Sequence, residues 1–282
     1  MDQAILHKLL DRPRTAHKYD FGHVLVLGGS PGMVGAPLLA GEAALRVGAG
    51  LVTIASAPNV TDKLERRVKE IMTLALPVGA DDAVRTLASF VEMRKVSAVV
   101  VGPGLKPDEA LATGLLRRVR RPVVLDAGGL VVFRGRLSLL REIAEAGSGM
   151  ILTPHTGEYE KLTDVPLPAG KANVRQAVAD FAKDHGVVLV LKGDHSLVAG
   201  PDGAVAENTT GNPGLATAGT GDVLSGVIGG LLAQGVAAME AARAGVYLHG
   251  LAGDLAAAAK TQAGMIASDV VEFLPAALKS LA

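Results

Sequence analysis

Residues 208–235 read NTTGNPGLATAGTGDVLSGVIGGLLAQG and join a glycine-rich loop to an apolar run of helical length. Glycines allow positive φ angles and close approach of the backbone to a ligand. We expect a helix over residues 223–232, preceded by inward-facing N–H groups of residues 218–221. Because the positive end of the helix dipole stands behind those amides, the stretch predicts an anion seat suited to a phosphate.

Asp222 stands at the predicted start of this helix, where its carboxylate would repel a bound anion. Such a residue is useful there if it takes a proton from a group that attacks the phosphate. Asp is also a common N-cap residue, so helix capping is the structural alternative. With four glycines in the loop, we favour catalysis, in which Asp222 is the base and Gly219, Thr220 and Gly221 supply amides.

The amino-acid composition predicts a core of aliphatic side chains and gives a net charge of zero. Hydrophobic residues form 49% of the 282 residues and aromatic residues only 3%, which is typical of buried parallel strands covered by helices. Lys+Arg and Asp+Glu both total 28, so no general field favours nucleic acid or an anionic membrane. The lack of Cys excludes disulfides, thiolate metal ligands and thiol nucleophiles, and fits a reducing compartment.

The N-terminal residues 1–21 lack the apolar segment and cleavage site of a secretory signal, so we expect a cytoplasmic protein. The uncharged run 223–239 approaches membrane-spanning length, but its Ser, Gln and Gly residues fit a buried helix better. No linker, repeat or charge block divides the sequence. We therefore expect one domain over residues 1–282, with only a short helix before His17.

Short apolar runs and helical segments alternate along the chain. Strands are expected at 22–27, 51–55, 72–76, 98–101, 123–125, 150–152 and 187–191, and a hairpin at 197–207. Helices are expected at 35–47, 59–69, 81–93, 108–118, a stretch ending at 145, a segment starting near 158, 171–185, 239–260 and 268–281. This alternation predicts an α/β doubly wound, mostly parallel sheet with helices on both faces.

Several predicted strands end in residues that can bind ligands: Gly28-Gly29-Ser30, Gly102-Pro103-Gly104, Asp126, His155 and Lys192. Because the carboxyl ends of parallel strands form the ligand crevice of an open α/β sheet, we expect these groups to converge. The glycine turn after the first strand lacks G-x-G-x-x-G spacing, and the chain has no G-x-x-x-x-G-K-[ST] run. These absences argue against a hydride-transfer Rossmann site and a P-loop.

Two further segments allow both a structural and a functional interpretation. Glu158 is favoured in the first turn of a helix by the helix dipole alone, and His155 could be an ordinary loop residue. Together they could bind a polar substrate and, through water, a magnesium ion. Residues 192–196 form either a polar hairpin turn or a contact to nucleotide phosphate and ribose. Asp126 could also simply end its strand.

Six motifs together resemble one family. They are GGS at 28–30, GMVGAPLLAGEAALRVGAGLVTIA at 32–55, VVVGPGL at 99–105, LTPHTGE at 152–158, LKGDHSLVAGPDG at 191–203 and NPGLATAGTGDVLSGVIGGLLAQG at 212–235. On these motifs the chain resembles the ADP/ATP-dependent NAD(P)H-hydrate dehydratases, a branch of the ribokinase-like superfamily, from about residue 17 to 274. G-T-G-D alone would indicate only the superfamily.

The resemblance implies a ribokinase-like, three-layer fold and repair of the hydrated, redox-dead form of NADH or NADPH. Water leaves the S epimer at the expense of ADP, or of ATP, and bacterial-type members release AMP and phosphate from ADP. Phosphorylation would turn the substrate hydroxyl into a leaving group. Asp222 would then be the base for that hydroxyl, and the amides of Gly219 to Gly221 would hold the charge on the transferred phosphoryl group.

The resemblance also implies roles for individual residues. Ala40, Gly104, His155 and Asp222 are expected to contact the hydrated dinucleotide. Contacts to the adenine nucleotide are expected from Lys192, Gly193, Asp194, His195, Ser196, Asn208, Thr209 and Gly221. Magnesium is implied, with Glu158 as a partner through water. Where relatives often read D-A-D-A-L, this chain has D-A-G-G-L from Asp126, so a second carboxylate is missing.

The resemblance further implies a homo-oligomer, a tetramer in the family, and a stand-alone dehydratase that uses spontaneous epimerisation or a separate epimerase. Two other functions stay open. A ribokinase-like kinase of a thiazole or hydroxymethylpyrimidine alcohol would stop at the phosphate ester, and a nucleotide sensor would need no base. The LTPHTGE and KGDHS motifs, combined with residues 32–55, favour the dehydratase.

Overall fold

The computed structural model describes residues 9–281, whose strands form one nine-stranded sheet. The strands are β1 His23–Leu27, β2 Leu51–Ser56, β3 Met72–Ala75, β4 Ala98–Val101, β5 Val123–Leu125, β6 Met150–Leu152, β7 Val188–Leu191, β8 Leu197–Ala199 and β9 Val205–Glu207. Their spatial order is β3-β2-β1-β4-β5-β6-β7-β8-β9. The first seven are parallel, while β8 and β9 form an antiparallel hairpin at one edge.

Helices cover both faces of this sheet, which confirms the predicted doubly wound α/β fold. They are α1 Gly35–Arg46, α2 Pro58–Leu64, α3 Ala80–Met93, α4 Glu109–Arg118, α5 Gly128–Val131, α6 Leu137–Ala146, α7 Thr156–Thr163, α8 Lys171–His185, α9 Thr220–Ala233, α10 Ala238–Lys260 and α11 Ala267–Lys279. Helices α1, α9, α10 and α11 share one apolar core, and α3, α4, α6 and α8 share the other. Within residues 9–281, none of these helices has the length and apolar character needed to cross a membrane.

Strand β1 shows why the sequence forms a sheet buried on both sides. All five of its residues are buried. Val24 and Val26 pack into the core with α1 and α9, whereas Leu25 and Leu27 pack into the opposite core. Side chains alternate between the two faces of a strand, so a continuous apolar run satisfies both layers.

Most predicted elements agree with the structure to within one or two residues, and two on the sheet's flanks do not. The helix expected over 59–69 ends at Leu64, because residues 65–70 carry five exposed charged side chains and only one apolar side chain, Val68, that packs against the core. The single helical stretch expected up to 145 is divided into α5 and α6, with Gly135 at φ 68° between them. The short helix expected before His17 falls mainly on residues 1–8, which lie outside the described residues.

The start of α9 also differs from the prediction. The helix begins at Thr220, three residues before the expected position 223, and its N-cap is Gly219 at φ 93°. This positive φ favours glycine, which explains why the loop can turn directly into the helix there. Asp222 therefore lies inside the first helical turn and is not the N-cap residue.

Glycines let α9 lie unusually close to the elements that surround it. A Cβ on Gly226 would stand 2.0 Å from the carbonyl oxygen of Ala40 in α1. One on Gly229 would stand 2.4 Å from a methyl group of Val100 in β4. A side chain at either position would push the helix away, so these glycines fix the separation of α9 from α1 and the sheet.

Candidate active site

The carboxyl ends of β5, β6 and β7 bring three charged side chains into one place. Asp126 follows β5, while Lys192 follows β7 and Glu158 lies in the first turn of α7 after β6. The N–H of Lys192 donates to the carbonyl oxygen of Pro154 at 2.8 Å, which continues the pairing of β6 and β7 beyond the strands. The convergence expected for Asp126 and Lys192 is therefore present.

Lys192 connects the carboxylates of this cluster. Its Nζ donates a hydrogen bond to Asp126 Oδ1 at 3.0 Å and lies 3.7 Å from Glu158 Oε2. The Asp126 side chain is only 3% exposed. Burial acts to lower the pKa of Lys192, but the carboxylates of Asp126 and Glu158 outweigh it and raise the pKa above its usual value. Lys192 therefore remains a cation at neutral pH.

Gly221 allows this cation to reach the first turn of α9. A Cβ at position 221 would lie 3.1 Å from Lys192 Nζ. A side chain there would crowd the ammonium group, so the missing side chain brings Lys192 against the helix turn that carries Asp222. The charge of Lys192 consequently acts on the same small volume as the helix N-terminus.

Asp222 has the environment of a proton acceptor. Burial and the nearby Asp126 carboxylate raise its pKa to about 7, while Lys192 opposes them. None of the described residues donates a hydrogen bond to its carboxylate. Since Gly219 is the N-cap residue, capping does not explain Asp222. A half-buried, unbonded carboxylate with a pKa near neutrality is suited to general base catalysis.

The amides beside Asp222 are open. Within the described chain, no acceptor is present for the N–H groups of Gly219, Thr220 and Gly221. The Thr220 hydroxyl holds the preceding loop in place: it donates hydrogen bonds to the carbonyl oxygens of Leu215 at 2.8 Å and Thr217 at 3.0 Å. Free amides at a helix N-terminus are able to bind an anion. The anion site expected from the sequence stays a prediction.

Helix α10 holds the loop that precedes this seat. Thr210 Oγ1 donates to the carbonyl oxygen of Tyr247 at 2.9 Å. Two helical turns further along, Asp254 accepts hydrogen bonds from the Gly211 N–H at 2.9 Å and from Asn212 Nδ2 at 3.0 Å. Positions 247 and 254 lie on one face of the helix. Sequence reasoning missed Asp254, although a carboxylate on an alanine-rich helix was a usable signal.

His249 is a second residue that the sequence interpretation did not assign. It lies on α10, is 9% exposed, and its Nε2 has no hydrogen-bond partner among the described residues. Burial lowers the pKa of His249 to about 4, against the opposing effect of the Thr220 backbone. A neutral imidazole therefore stands behind the anion seat.

His155 and Glu158 have a structural role at the start of α7. His155 Nδ1 accepts from the N–H groups of Gly157 at 3.1 Å and Glu158 at 3.3 Å, and Glu158 Oε2 accepts from the His155 N–H at 2.9 Å. This reciprocal pattern is a capping box. The His155 side chain is still 57% exposed at the crevice, so a substrate contact stays a prediction for it.

The remaining expected nucleotide contacts lie beside Lys192 at the hairpin edge of the sheet. Gly193, Asp194, His195 and Thr209 are exposed, and Ser196 and Asn208 are half-buried. These residues lie in the turn before β8 and in the segment after β9. Their placement leaves them accessible to a ligand, and their individual contacts stay predictions.

Ala40 and Gly104 lie on the other side of the carboxylate cluster. Ala40 is fully buried against α9. Gly104 is also buried, at φ 63°, and follows β4, the strand next to β5 and Asp126. Neither belongs to the group formed by Lys192 and its carboxylates. The contacts of Ala40 and Gly104 to a substrate stay predictions.

Comparison with known proteins gives consistent results. A family model described as NAD(P)H-hydrate dehydratase matches residues 24–276. A bifunctional NAD(P)H-hydrate repair enzyme of Moorella thermoacetica is 42% identical over 96% of this chain, which spans only 52% of that relative. An ADP-dependent (S)-NAD(P)H-hydrate dehydratase of Neisseria meningitidis is 38% identical, with 94% of this chain and 87% of the relative covered.

A solved structure extends the similarity to the fold. It is the ADP/ATP-dependent NAD(P)H-hydrate dehydratase of Bacillus subtilis, co-crystallised with ATP and Mg²⁺. The TM-score is 0.82 at 29% sequence identity, and the match covers all of this chain and 98% of the other. The chain thus spans nearly the whole of this relative but about half the length of the bifunctional relatives that it matches.

Proposed function

Because the chain belongs to the NAD(P)H-hydrate dehydratase family, we propose that it uses ADP to remove water from the S epimer of hydrated NADH or NADPH. The family and its ribokinase-like fold are those predicted from the sequence. One observation carries the proposal: the unbonded carboxylate of Asp222 stands beside the open amides of α9, with Lys192 against the same turn.

The first step is phosphoryl transfer from ADP to the substrate hydroxyl. Asp222 takes the hydroxyl proton as the oxygen attacks the β-phosphorus, and the bond to the bridging oxygen breaks to release AMP. The N–H groups of Gly219, Thr220 and Gly221 hold the oxygens of the transferred group. Removing one such donor typically reduces the rate by about 10²–10³-fold. Lys192 supplies a fixed positive charge against the same helix turn.

The second step is elimination from the phosphate ester. The lone pair of the ring nitrogen expels phosphate, which leaves with the electrons of the carbon–oxygen bond. A proton then leaves the neighbouring ring carbon, and the dihydronicotinamide is restored. Phosphate is a far better leaving group than hydroxide, which explains why the enzyme consumes a nucleotide. The net products are NAD(P)H, AMP and phosphate.

Magnesium fits the site only together with nucleotide phosphates. Across residues 9–281, no group of three His, Cys, Asp or Glu residues is arranged to hold a metal ion. Mg²⁺ usually keeps several waters and binds one or two carboxylates plus substrate phosphates. Glu158 Oε1 accepts no hydrogen bond from the described residues, so it is free to hold a metal-bound water. The ion would neutralise charge on the phosphates.

The biological setting follows the same proposal. Residues 1–282 would act as one catalytic domain in the cytoplasm, as a homo-oligomer that is a tetramer by family resemblance. The R epimer of the hydrate would reach the enzyme after spontaneous epimerisation or through an epimerase. The bifunctional relatives support a linked second activity of this kind.

The decisive experiment is incubation of the protein with hydrated NADH, magnesium and either ADP or ATP. We expect dihydronicotinamide absorbance to return, with one AMP and one phosphate formed for each NADH when ADP is used. Phosphorylation of a thiazole or hydroxymethylpyrimidine alcohol, without repair of the hydrate, would instead indicate the kinase alternative. No recovery with either nucleotide would contradict the dehydratase assignment.

A further inference from the structure

His249 is a buried titratable residue to which the proposed reaction gives no role. It lies on α10 and is almost fully buried. Among the described residues, its Nε2 is the one fully buried side-chain nitrogen or oxygen atom without a hydrogen-bond partner. Such an atom lowers the stability of the fold, because it loses its bonds to water and gains none in return. A side chain that only filled this space would be apolar, so the imidazole needs a reason beyond packing.

Two glycines on α10 show which way His249 points. Gly245 and Gly253 lie one helical turn before and after it, on the same face of the helix. A Cβ on Gly245 would stand 2.6 Å from the Ile228 side chain in α9, and one on Gly253 would stand 2.7 Å from the Leu215 side chain. The face that carries His249 therefore covers the segment between Leu215 and Ile228, which includes the first turn of α9.

Within this segment the imidazole meets the backbone of Thr220. Burial and, to a smaller extent, the Lys192 cation lower the pKa of His249 to about 4, while a hydrogen bond with the Thr220 backbone acts to raise it. A backbone group that favours the protonated ring is an acceptor, so the imidazole donates to the Thr220 carbonyl oxygen. A neutral ring has one N–H and one acceptor nitrogen. Because Nε2 has no partner, the proton is assigned to Nδ1.

The Thr220 carbonyl and the Gly221 N–H belong to the same peptide group. Resonance couples the two ends of that group, so a hydrogen bond accepted by the oxygen increases the positive charge on the N–H. The Gly221 N–H is one of the open amides at the start of α9, and no described residue accepts from it. His249 can therefore influence an anion bound at this turn through the peptide, without touching the anion itself.

We propose that His249 is a positioning residue, which orients and polarises the Thr220–Gly221 peptide so that the Gly221 N–H holds the transferred phosphoryl group. The assignment rests on the proposed function, which brings that group to the first turn of α9. Hydrogen bonds in a chain strengthen one another by about 10–30%. Since losing a whole oxyanion donor costs about 10²–10³-fold in rate, weakening one by this fraction should cost about twofold to eightfold.

Three substitutions separate this role from packing. His249→Phe keeps a ring of similar size and removes the donor. His249→Asn places an amide N–H close to the position of Nδ1 and retains the donor. His185→Phe is the matched control, because it makes the same chemical change at the end of α8, before β7 and at the opposite edge of the sheet. His185 is half-buried and stacks on Phe181, with 4.4 Å between the ring centroids.

We expect His249→Phe to lower kcat for ADP-driven repair of hydrated NADH about twofold to eightfold, because the peptide acts mainly on the transition state. The KM values for ADP and for the hydrate should stay unchanged. Urea denaturation should show a stability equal to or above that of the wild type, since an unpartnered nitrogen leaves the core. His249→Asn should recover most of the lost kcat, and His185→Phe should retain all of it.

The pH profile separates positioning from proton transfer. A ring that stays neutral takes no part in proton transfer near neutral pH, so kcat/KM of His249→Phe should rise with pH at the same midpoint as that of the wild type. A lost or displaced rise would assign an acid–base role to His249 and overturn the proposal. An unchanged kcat in His249→Phe, or equal losses of kcat in the Phe and Asn variants, would overturn it as well.

Nuclear magnetic resonance tests His249 without any turnover. In the wild type at neutral pH, the nitrogen-15 shifts of the ring should show a neutral imidazole with its proton on Nδ1. The amide resonance of Gly221 should move in His249→Phe and return towards its wild-type position in His249→Asn. A proton on Nε2, or a Gly221 resonance that is the same in all three proteins, would reject the proposal. Failure of the wild type to repair hydrated NADH would instead refute the proposed function.

Discussion

Lys192 donates a 3.0 Å hydrogen bond to Asp126, which is 66 residues earlier in the chain. The bond joins the ends of β5 and β7 across β6 and satisfies a carboxylate that is almost fully buried. It also fixes the ammonium group against the first turn of α9. The pair therefore contributes to the electrostatic environment of Asp222, the residue that we propose as the proton acceptor.

Replacing Asp222 with Asn removes the base and preserves the shape of the side chain. We expect Asp222→Asn to lower kcat by about 10²–10⁴-fold, the usual contribution of general base catalysis. Nucleotide affinity, measured by calorimetry with ADP, should stay the same or increase because a charge near the anion seat is lost. Equal turnover by the variant and the wild type would refute the role of Asp222.

The pH dependence of repair should report the pKa of Asp222. With a pKa of about 7, kcat/KM should rise about tenfold per pH unit below neutrality and level off above it, because only the ionised carboxylate accepts a proton. Lys192→Met should move this rise to higher pH, since it removes the nearby cation. Asp126→Asn should move it to lower pH, since it removes a nearby negative charge. Shifts of the same sign in both variants would be incompatible with this account.

Asp222 should also make the folded protein less stable as the pH rises. Its folded pKa of about 7 exceeds the ordinary 3.8, so its contribution to the free energy of unfolding is fully present below pH 4 and lost as pH rises to about 7. Asp222→Asn should therefore match the wild type near pH 4 and exceed its stability at pH 8. After allowance for solvent screening, the gain is on the order of 1–2 kcal/mol. Urea denaturation at both pH values measures it, and a gain that does not change with pH would contradict the assignment.

Asp254 should position the loop without touching the reacting groups. Asp254→Ala removes both acceptors of the Gly211 N–H and the Asn212 side chain, so we expect the KM for ADP to rise about fivefold to tenfold with a smaller fall in kcat. Asp254→Asn retains one acceptor and should be intermediate. Amide exchange at Gly211 should become faster in both variants.

Arg243→Ala is the control for Asp254, because Arg243 is exposed on the same helix. It should leave the KM for ADP and the exchange rate at Gly211 unchanged. If Asp254→Ala lowers thermal stability but leaves the KM for ADP unchanged, Asp254 supports only the fold.

The sequence was most informative where local pattern determines structure. Apolar strands followed by Gly, Asp or Lys predicted both the sheet and the edge at which Asp126 and Lys192 meet. The helix start was misplaced because Gly219 has a positive φ, which allows the loop to become helical at Thr220. From the sequence alone, a glycine at position 219 is compatible with a helix that begins at Thr220 and with one that begins at Val223.

Contacts between distant residues were harder to predict. Asp254 and Gly211 are 43 residues apart, and the bond between them depends on which face of α10 meets the loop. The approach of Lys192 to Asp222 likewise depends on the register of β6 and β7 and on the missing side chain at Gly221. The hydrophobic pattern within a single segment does not show which residues of other segments it will contact.

The near contact between Gly226 and Ala40 bears on how the proposed enzyme could acquire new substrates. A Cβ added to Gly226 would lie 2.0 Å from the backbone carbonyl oxygen of Ala40. A side chain at this position would therefore displace the helix that carries Asp222. We therefore expect changes in substrate specificity to arise in the surface loops. Most clones from a library of variants randomised within α9 should be misfolded or inactive.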